Sequence, residues 1–258
     1  MTRGDPGTLA AALRARLAEH GTPRRAAGEQ RYLKSSLTHL GVATPELRRE
    51  THRLLREHDL DLAGRVALVT ALWKEPVHEL RRAGVEILVD SAAQLDASHL
   101  ALVERLLREA RTWALVDPLA INVAGAVVAC DPGAQATLDR WITDDDFWIR
   151  RSALLAHLPS LRADPSRFAA FATHADRVLD EREFFVRKAI GWVLREVARR
   201  TPRAVVGWLA PRTQRASGVT IREAIKHLPE ADAARLMAAY RARRPAAPAD
   251  GPATSPCS

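Results

Sequence analysis

The chain has 258 residues and a formal net charge of +8, a balance that favours phosphate-rich or other anionic partners. Its two cysteines, Cys130 and Cys257, are too few for the disulfide framework of a small secreted domain. The N-terminus has no apolar signal core, and no stretch approaches about 18 uninterrupted apolar residues. We therefore expect a cytoplasmic protein that does not enter membranes.

Helical patterns run along almost the whole chain, and strand signals are nearly absent. The first helix is predicted over residues 9–17, and Gly21-Thr22-Pro23 follows it as a break. Further helices are predicted, in chain order, at 66–75, 77–89 and 98–107, from near Pro118 to 130, at 148–158 and at 183–200. Residues 241–258 are rich in proline and alanine, and this composition predicts a disordered tail.

An internal repeat organises these helices. The marker is an apolar residue, a basic pair and a helical apolar run, complete in four of six units, and the marker positions are 48, 81, 116, 150, 187 and 222. Two helices per unit and a period near 35 residues indicate an α-solenoid of the HEAT kind, since the TPR signature is missing. We predict an all-α, C-shaped solenoid of about six HEAT-like repeats with a basic concave face, forming one domain over residues 1–240.

Asp117 departs from the repeat pattern. Four of the six units place a cation directly after the marker position, but the third unit places this carboxylate there. Trp113 lies four residues earlier and would share its helix face. A carboxylate in a column of bases is a candidate for chemistry on a polyanion. The alternative is structural: Asp117 would cap a helix that begins at Pro118, because a residue before proline avoids the helical conformation.

A second candidate surface is a stripe on the predicted helix over residues 183–200. Lys188, Trp192, Arg195 and Arg199 recur at helical spacing, opposite an apolar face. An aromatic ring can lie against a sugar or base while the cations meet phosphate, so the stripe could hold a nucleotide. The alternative is an ordinary solvated face with one half-buried tryptophan.

A third candidate is the pair Arg150 and Arg151, which follows Trp148. The planar guanidinium fork suits a phosphate better than a lysine does. The alternative is a salt bridge between neighbouring repeats, with an acid among residues 144–146 as the partner.

Signals for cofactors and metals are weak. Glu75 and His78 have the spacing of metal ligands, but no partner motif accompanies them. The chain has no phosphate-binding loop, dinucleotide fingerprint or nucleophile elbow. We predict neither a cofactor nor a metal.

Three of these segments resemble a known family, the AlkD-type alkylpurine DNA glycosylases of the DNA alkylation repair superfamily. The resemblance extends from about residue 8 to 240. It is carried by the segment Tyr32–Gly41 followed by Thr44-Pro45-Glu46, by Trp113-x-x-x-Asp117, and by the segment Phe184–Glu196 followed by Arg222–Leu228.

The resemblance implies a C-shaped HEAT-like stack that holds duplex DNA in its concavity. It also implies hydrolysis of the N-glycosidic bond of cationic alkylated purines such as 3-methyladenine and 7-methylguanine. Asp117 would be the catalytic aspartate, and Trp113 and Trp192 would flank the lesion nucleotide. Arg151 would lie at the active-site cleft.

These expectations define a partner and a location. The partner would be double-stranded DNA that contains alkylated purines, bound by a monomer near the bacterial nucleoid. We expect the phosphates to be contacted by Arg150, Lys188, Arg195, Lys34, Arg82 and Arg187. No lysine stands beside the acid in sequence, so we expect no strand-cleaving lyase step.

One departure from the family concerns the neighbourhood of the aspartate. The run from Trp113 to Asp117 is more apolar than is usual in the family, so the substrate range could extend to bulky adducts. A different class of function also stays open: a non-catalytic HEAT-repeat scaffold that binds DNA or protein, since fold alone does not establish catalysis.

Overall fold

The computed structural model describes residues 4–242. The first eight α-helices are α1 (Pro6–Glu19), α2 (Pro23–Leu33), α3 (Thr44–His58), α4 (Leu62–Lys74), α5 (His78–Asp90), α6 (Leu100–Ala110), α7 (Trp113–Pro118) and α8 (Gly125–Cys130). The next eight are α9 (Gln135–Trp141), α10 (Phe147–Leu155), α11 (His157–Ala163), α12 (Phe168–Arg177), α13 (Phe184–Ala198), α14 (Pro202–Leu209), α15 (Gly218–Ala224) and α16 (Glu230–Arg241). Across residues 4–242 the only extended pairing is an isolated bridge between Thr38 and Val77. The predicted all-α, solenoid-like fold is confirmed.

The repeat markers identify one continuous row of helices. Marker positions 48, 81, 116, 150, 187 and 222 fall on α3, α5, α7, α10, α13 and α15, and each of these helices packs against the next. Helices α4, α9, α14 and α16 pack on α5, α10, α13 and α15, and α6 packs on both α7 and α10. This two-layer stacking, in which each unit buries its apolar face against its neighbours, is what a solenoid requires.

Ion pairs between neighbouring repeats reinforce the stack. Arg108 donates to Asp144 at 2.9 Å across a sequence separation of 36 residues. Arg212 donates to Asp176 at 2.8 Å across the same separation. Equivalent positions of consecutive units face each other, so charges one period apart meet. The hydrogen bond from Arg108 is the main reason that the pKa of Asp144 lies below its ordinary value.

The centre of the fold is a continuous helical segment from Trp113 to Cys130. It consists of α7, a π-helical stretch over Leu119–Ala124 and α8. The expected helix start near Pro118 is therefore wrong, and the alternative in which Asp117 caps that helix is wrong with it. The wider π turns directly after Pro118 accommodate a residue that lacks an N–H and crowds the preceding turn.

By length and composition this segment could cross a membrane, with a mean hydropathy of 1.7 over its 18 residues. Inside the protein, however, 61% of it is buried, and α7 and the π-helical stretch contact the neighbouring helices α5, α6 and α10. Its apolar character is therefore accounted for by a position in the core of the solenoid.

Two other boundaries differ from the sequence prediction. A single helix was expected over 148–158, but α10 ends at Leu155 and α11 begins at His157. Pro159 has no N–H to donate to the preceding turn, so an uninterrupted helix would lose a hydrogen bond there. The predicted tail begins with Arg241, which ends α16; residues 243–258 lie outside the described part of the chain, and the tail remains a prediction.

Gly191 sets the distance between α13 and α15. A Cβ at this position would lie 2.6 Å from the Cβ of Glu223 and 2.9 Å from the carbonyl oxygen of Thr220. Only glycine permits so close an approach of two helices. The contact brings Glu223 directly beneath the face of α13 that carries Lys188 and Arg195.

Two buried histidines and one exposed aspartate link three helices away from this face. His157 and His174 share a 2.9 Å hydrogen bond between their rings, and the far nitrogen of His174 contacts Asp139 at 2.7 Å. Burial, together with the charge of His174, lowers the pKa of His157 to about 3. Burial also lowers the pKa of His174, although Asp139 opposes that change.

The buried pair His157 and His174 makes the free energy of unfolding depend on pH. The pKa of His157 is lower in the folded state than the ordinary value of 6.5, so the unfolded chain binds a proton first as the pH falls. The contribution of neutral His157 to the free energy of unfolding is complete above pH 6.5. It is lost as the pH falls from 6.5 to about 3. We expect His157→Gln to reduce the slope of unfolding free energy against pH in this window by about 1 kcal/mol per pH unit. Urea unfolding over a pH series measures this slope. His227→Gln, at an exposed histidine, should leave the slope unchanged; an unchanged slope in His157→Gln would contradict the assignment.

Candidate functional site

A cleft of about 500 Å³ opens where α2, α7, α10 and α13 meet, a size typical of ligand-binding clefts. Three of these helices are consecutive members of the marker row. The lining residues are Tyr32, Trp113, Asp117, Arg151, Phe184, Phe185, Lys188, Trp192 and Arg195.

The floor of the cleft is an ion pair between two repeats. Arg151 donates from Nε to Oδ1 of Asp117 and from Nη2 to Oδ2, both at 2.8 Å. Its remaining terminal nitrogen, Nη1, donates to the carbonyl oxygen of Phe185 at 2.6 Å. Asp117 is 8% exposed and Arg151 is 3% exposed. The fork therefore fixes the carboxylate in one orientation, with one edge toward the arginine.

Aromatic rings surround this pair. The guanidinium carbon of Arg151 lies 5.8 Å from the ring centre of Phe185 and 6.0 Å from that of Trp192. On the other side, Tyr32 meets Trp113 edge to face at 5.8 Å between centroids. The negative faces of such rings favour a cationic group.

Two aromatic side chains at the cleft are open to solvent. Tyr32 is 74% exposed and Phe184 is 52% exposed. Among residues 4–242, every other large hydrophobic side chain is at least partly buried. Exposed aromatic groups at the edge of a cleft indicate a contact surface for a ligand or partner.

The rim of the cleft is cationic and is held in place by one buried acid. Glu223 accepts hydrogen bonds from Lys188, from Arg195 at 2.7 Å and from Lys226 at 2.7 Å. Burial opposes ionisation, but the bonds from Lys188 and Lys226 hold the pKa of Glu223 below its ordinary value. Three cations around one carboxylate leave the rim with a net positive charge.

The structure brings six of the predicted site residues into this cleft: Trp113, Asp117, Arg151, Lys188, Trp192 and Arg195. The pair Trp113 and Asp117 therefore shares one site with most of the predicted stripe on α13. Arg199, the last member of the stripe, is not part of the lining and lies 3.7 Å from Glu196.

Four predicted phosphate contacts lie elsewhere. Arg150 forms a salt bridge between repeats, as the alternative predicted, but its partner is Glu181. The expected partner among residues 144–146 is wrong, since Asp144 and Asp145 contribute only backbone carbonyl groups. Arg187 donates to the carbonyl oxygen of Glu181 at 2.5 Å, and Arg82 to the hydroxyl of Thr44 at 3.2 Å.

Lys34 lines a separate basic groove. That groove has a volume of about 730 Å³ and is also lined by Arg81, Arg108 and Arg111. It provides a second cationic surface on the N-terminal half of the protein.

Tyr32, Phe184, Phe185 and Glu223 belong to the site but were not predicted as site residues. Tyr32, Phe184 and Phe185 stand inside the motifs that carried the family resemblance. Glu223 occupies the same position in the sixth repeat that Asp117 occupies in the third. This second acid in the basic column was a usable signal, since both acids pair with cations of an adjoining unit.

The site combines a fixed carboxylate, aromatic walls and a cationic rim. Such an arrangement can hold an anionic backbone at the rim while it stabilises a cationic or electron-poor group above the floor. Fold and site together define a class: an all-α, solenoid-like protein with a carboxylate-floored cleft suited to a polyanion.

Comparison with known proteins specifies this class further. Residues 13–228 match the model of a family described as DNA alkylation repair enzyme, and the chain belongs to this family. No curated protein matches the chain.

Two solved structures share the fold. A predicted DNA alkylation repair enzyme from Enterococcus faecalis superposes with a TM-score of 0.74 at 21% sequence identity, covering 82% of this chain and 98% of that chain. The structure of smu.31 from Streptococcus mutans UA159 gives a TM-score of 0.56 at 17% identity, covering 71% of this chain and 93% of that chain. At these identities the likeness shows the fold alone.

Proposed function

We propose that the protein is a monofunctional DNA glycosylase that hydrolyses the N-glycosidic bond of cationic N3- or N7-alkylated purines in duplex DNA. It would act as a monomer, without a cofactor, at the nucleoid in the bacterial cytoplasm. The observation that carries the proposal is Asp117, whose carboxylate is fixed by Arg151 at the floor of an aromatic cleft.

The proposed reaction suits these residues. An alkylated purine already carries a positive charge, so the bond from C1′ of the sugar to the purine nitrogen breaks without a strong general acid. The electron pair of that bond neutralises the departing base, and the sugar develops oxocarbenium character. Asp117 stabilises this charge and accepts a proton from the water whose oxygen bonds to C1′.

The ion pair with Arg151 positions the carboxylate without using all of its acceptor capacity. Each oxygen of Asp117 accepts one N–H from the fork, and a carboxylate offers about four acceptor sites in total. The remaining lone pairs can orient water. The walls formed by Trp113 and Trp192 would flank the lesion nucleotide and favour the same cation.

The rim provides the contacts to DNA. Lys188 and Arg195 can meet the phosphates next to the lesion while the sugar faces the floor. Tyr32 and Phe184 lie exposed at the cleft, and we propose that this open, aromatic surface also admits bulky adducts. The same surface lets the lesion stay in the base stack.

The test is release of free base from methylated duplex DNA. We expect chromatography to detect 7-methylguanine and 3-methyladenine after incubation with the protein, and no base from unmodified duplex. Borohydride should trap no covalent adduct, because the ammonium of Lys188 is engaged by Glu223. The proposal is wrong if neither small nor bulky alkyl adducts are released while the protein binds the DNA.

The rim makes a separate prediction about salt. If Lys188 neutralises one phosphate, log K for DNA association falls less steeply with log salt concentration in Lys188→Ala. The magnitude of the slope should decrease by about 1. Binding to an unmodified duplex, measured by fluorescence anisotropy at several salt concentrations, gives this slope. The control is Arg203→Ala, at an exposed arginine of α14 that is not part of the cleft lining. Equal slopes for wild type and Lys188→Ala would remove Lys188 from the interface.

A second candidate function is a non-catalytic scaffold. The observation in its favour is that the Asp117–Arg151 pair spans 34 residues, close to the 36 residues between Arg108 and Asp144. On this view Asp117 would only be one more link between repeats. The position of this pair on the floor of a cleft favours the glycosylase.

A further inference from the structure

Three potential metal ligands converge at the N-terminal end of the solenoid, away from the proposed catalytic cleft. Glu29 lies on α2, His39 in the connection between α2 and α3, and Glu79 on α5. One ligand atom from each lies within 4.8 Å of the others. Since they come from three separate segments, no sequence motif marks them. The Glu75-x-x-His78 spacing is not the set, because Glu75 pairs with Arg14 at 3.0 Å.

The imidazole of His39 is the unusual member. Its side chain is 1% exposed, and neither ring nitrogen has a hydrogen-bond partner among the described residues. Oε2 of Glu29 lies 3.9 Å from Nδ1, which is too long for a hydrogen bond. The ring stacks on His78 at 4.5 Å between centroids. A buried polar group without a partner is destabilising, whereas coordination of a metal would use the nitrogen.

Each of the two carboxylates is held by contacts of its own. Oε1 of Glu29 pairs with Arg25 at 2.9 Å, so Oε2 is the oxygen directed toward His39. Glu79 accepts the backbone N–H groups of Leu40 at 2.9 Å and Gly41 at 2.7 Å. Secondary contacts of this kind fix the orientation of metal ligands.

The three residues lie next to a cleft and to cationic side chains. His39 is part of the lining of this cleft, which has a volume of about 510 Å³ and lies between α1 and α2. Arg82 is a cation near Glu29 and Glu79. Together with Arg25, which pairs with Glu29, it balances the two carboxylate charges, so the unpartnered nitrogens of His39, and not a net negative charge, favour a metal here.

We propose that Glu29, His39 and Glu79 form a site for a divalent transition-metal ion with nitrogen and oxygen ligands, of the Zn²⁺ type. Three protein ligands and a water complete a four-coordinate zinc site. Bond lengths of about 2.0–2.2 Å place tetrahedral ligand atoms roughly 3.3 Å apart. Side-chain movements of less than about 1 Å would therefore close the present distances.

Such an ion would attach α2 to the body of the protein. Helix α2 contains no fully buried residue, so apolar packing holds it weakly. Its polar attachments include the hydrogen bond from Gln30 to the carbonyl oxygen of Leu37 at 3.1 Å. A metal that bridges Glu29 to Glu79 would stabilise α2 and the position of Tyr32 near its C-terminal end. The inference does not depend on the proposed glycosylase function.

The test uses the full chain, with both cysteines replaced by serine to remove thiol ligands. After treatment with EDTA and buffer exchange, isothermal titration with ZnCl₂ should give one tight site per chain. His39→Ala should weaken it at least about tenfold, because even the loss of an outer contact to a ligand has an effect of that size. Glu29→Gln, a change on a solvent-facing helix, gives a second variant with little effect on folding. His227→Ala is the matched control and should bind like the parent.

Hydrogen exchange gives an independent measurement. Zinc should slow amide exchange over residues 23–33 in the parent and have no such effect in Glu29→Gln. The proposal is overturned if the parent binds no zinc at micromolar concentrations, or if Glu29→Gln and His39→Ala bind it as the parent does. In that case His39 is a buried ring that packs on His78 and not a ligand.

Discussion

Asp117→Asn should lower the rate of 7-methylguanine release by at least about 100-fold, the range for loss of a group that stabilises charge in the transition state. Asparagine keeps the size of the side chain and can still accept a hydrogen bond from Arg151. It loses the negative charge that would stabilise the sugar cation and the basicity that would accept a proton from water. Binding to a methylated duplex should stay within a few-fold of wild type, because the phosphate contacts at the rim are unchanged.

The control is Asp145→Asn, which removes an exposed carboxylate near α10 and should leave the rate unaltered. Single-turnover kinetics at saturating protein separate the chemical step from binding, and circular dichroism confirms that each variant is folded. A rate for Asp117→Asn within a few-fold of wild type would reject the catalytic assignment. The Asp117–Arg151 pair would then be structural.

The architecture could be predicted because it repeats. Each unit places the same side-chain types at the same positions of a helix, so the period alone identifies the members of the packed row. The spacing of Trp113 and Asp117 likewise predicted a shared face, because residues four apart on a helix are neighbours. Both inferences depend only on local geometry.

Which residue of each basic pair faces the cleft could not be predicted in the same way. Arg151 and Lys188 line the cleft, whereas Arg150 and Arg187 bond to residues of the segment before α13. Adjacent residues on a helix point about 100° apart, so only the rotation of each helix decides which of them faces the cleft. That rotation is set by packing between units, which a single sequence does not encode locally.

Pro118 illustrates a second limit. Local rules place a helix start at this residue, and they predict that Asp117 is a cap. In the structure, packing against the neighbouring repeats holds residues 113–130 helical, with π turns following the proline. Tertiary contacts therefore override the local preference, and they do so beside the candidate catalytic residue. A π-helical stretch is frequent at functional sites.

The second large effect concerns stability. Arg151→Met should destabilise the protein by about 3–5 kcal/mol, because it leaves the carboxylate of Asp117 buried without its partner. The flexible methionine fills much of the space of the arginine stem, so the change acts mainly on charge. Arg150→Met is the matched control on the same helix. Its ion pair with Glu181 is partly exposed, and the loss should stay below about 2 kcal/mol.

Pairing is established by adding the second change. In Arg151→Met/Asp117→Asn neither charge remains, so the double variant should be more stable than Arg151→Met, although the bond to the carbonyl oxygen of Phe185 is lost in both. Urea unfolding of wild type, the two single variants and the double variant gives the coupling energy of the pair. We expect a coupling of at least about 1.5 kcal/mol. Additive losses would mean that Arg151 stabilises the fold through Phe185 and the aromatic rings, and that water in the cleft already screens Asp117. Strong coupling would show that the contact between Asp117 and Arg151 holds two repeats together. If Asp117→Asn also loses catalysis, the same contact orients the reactive carboxylate.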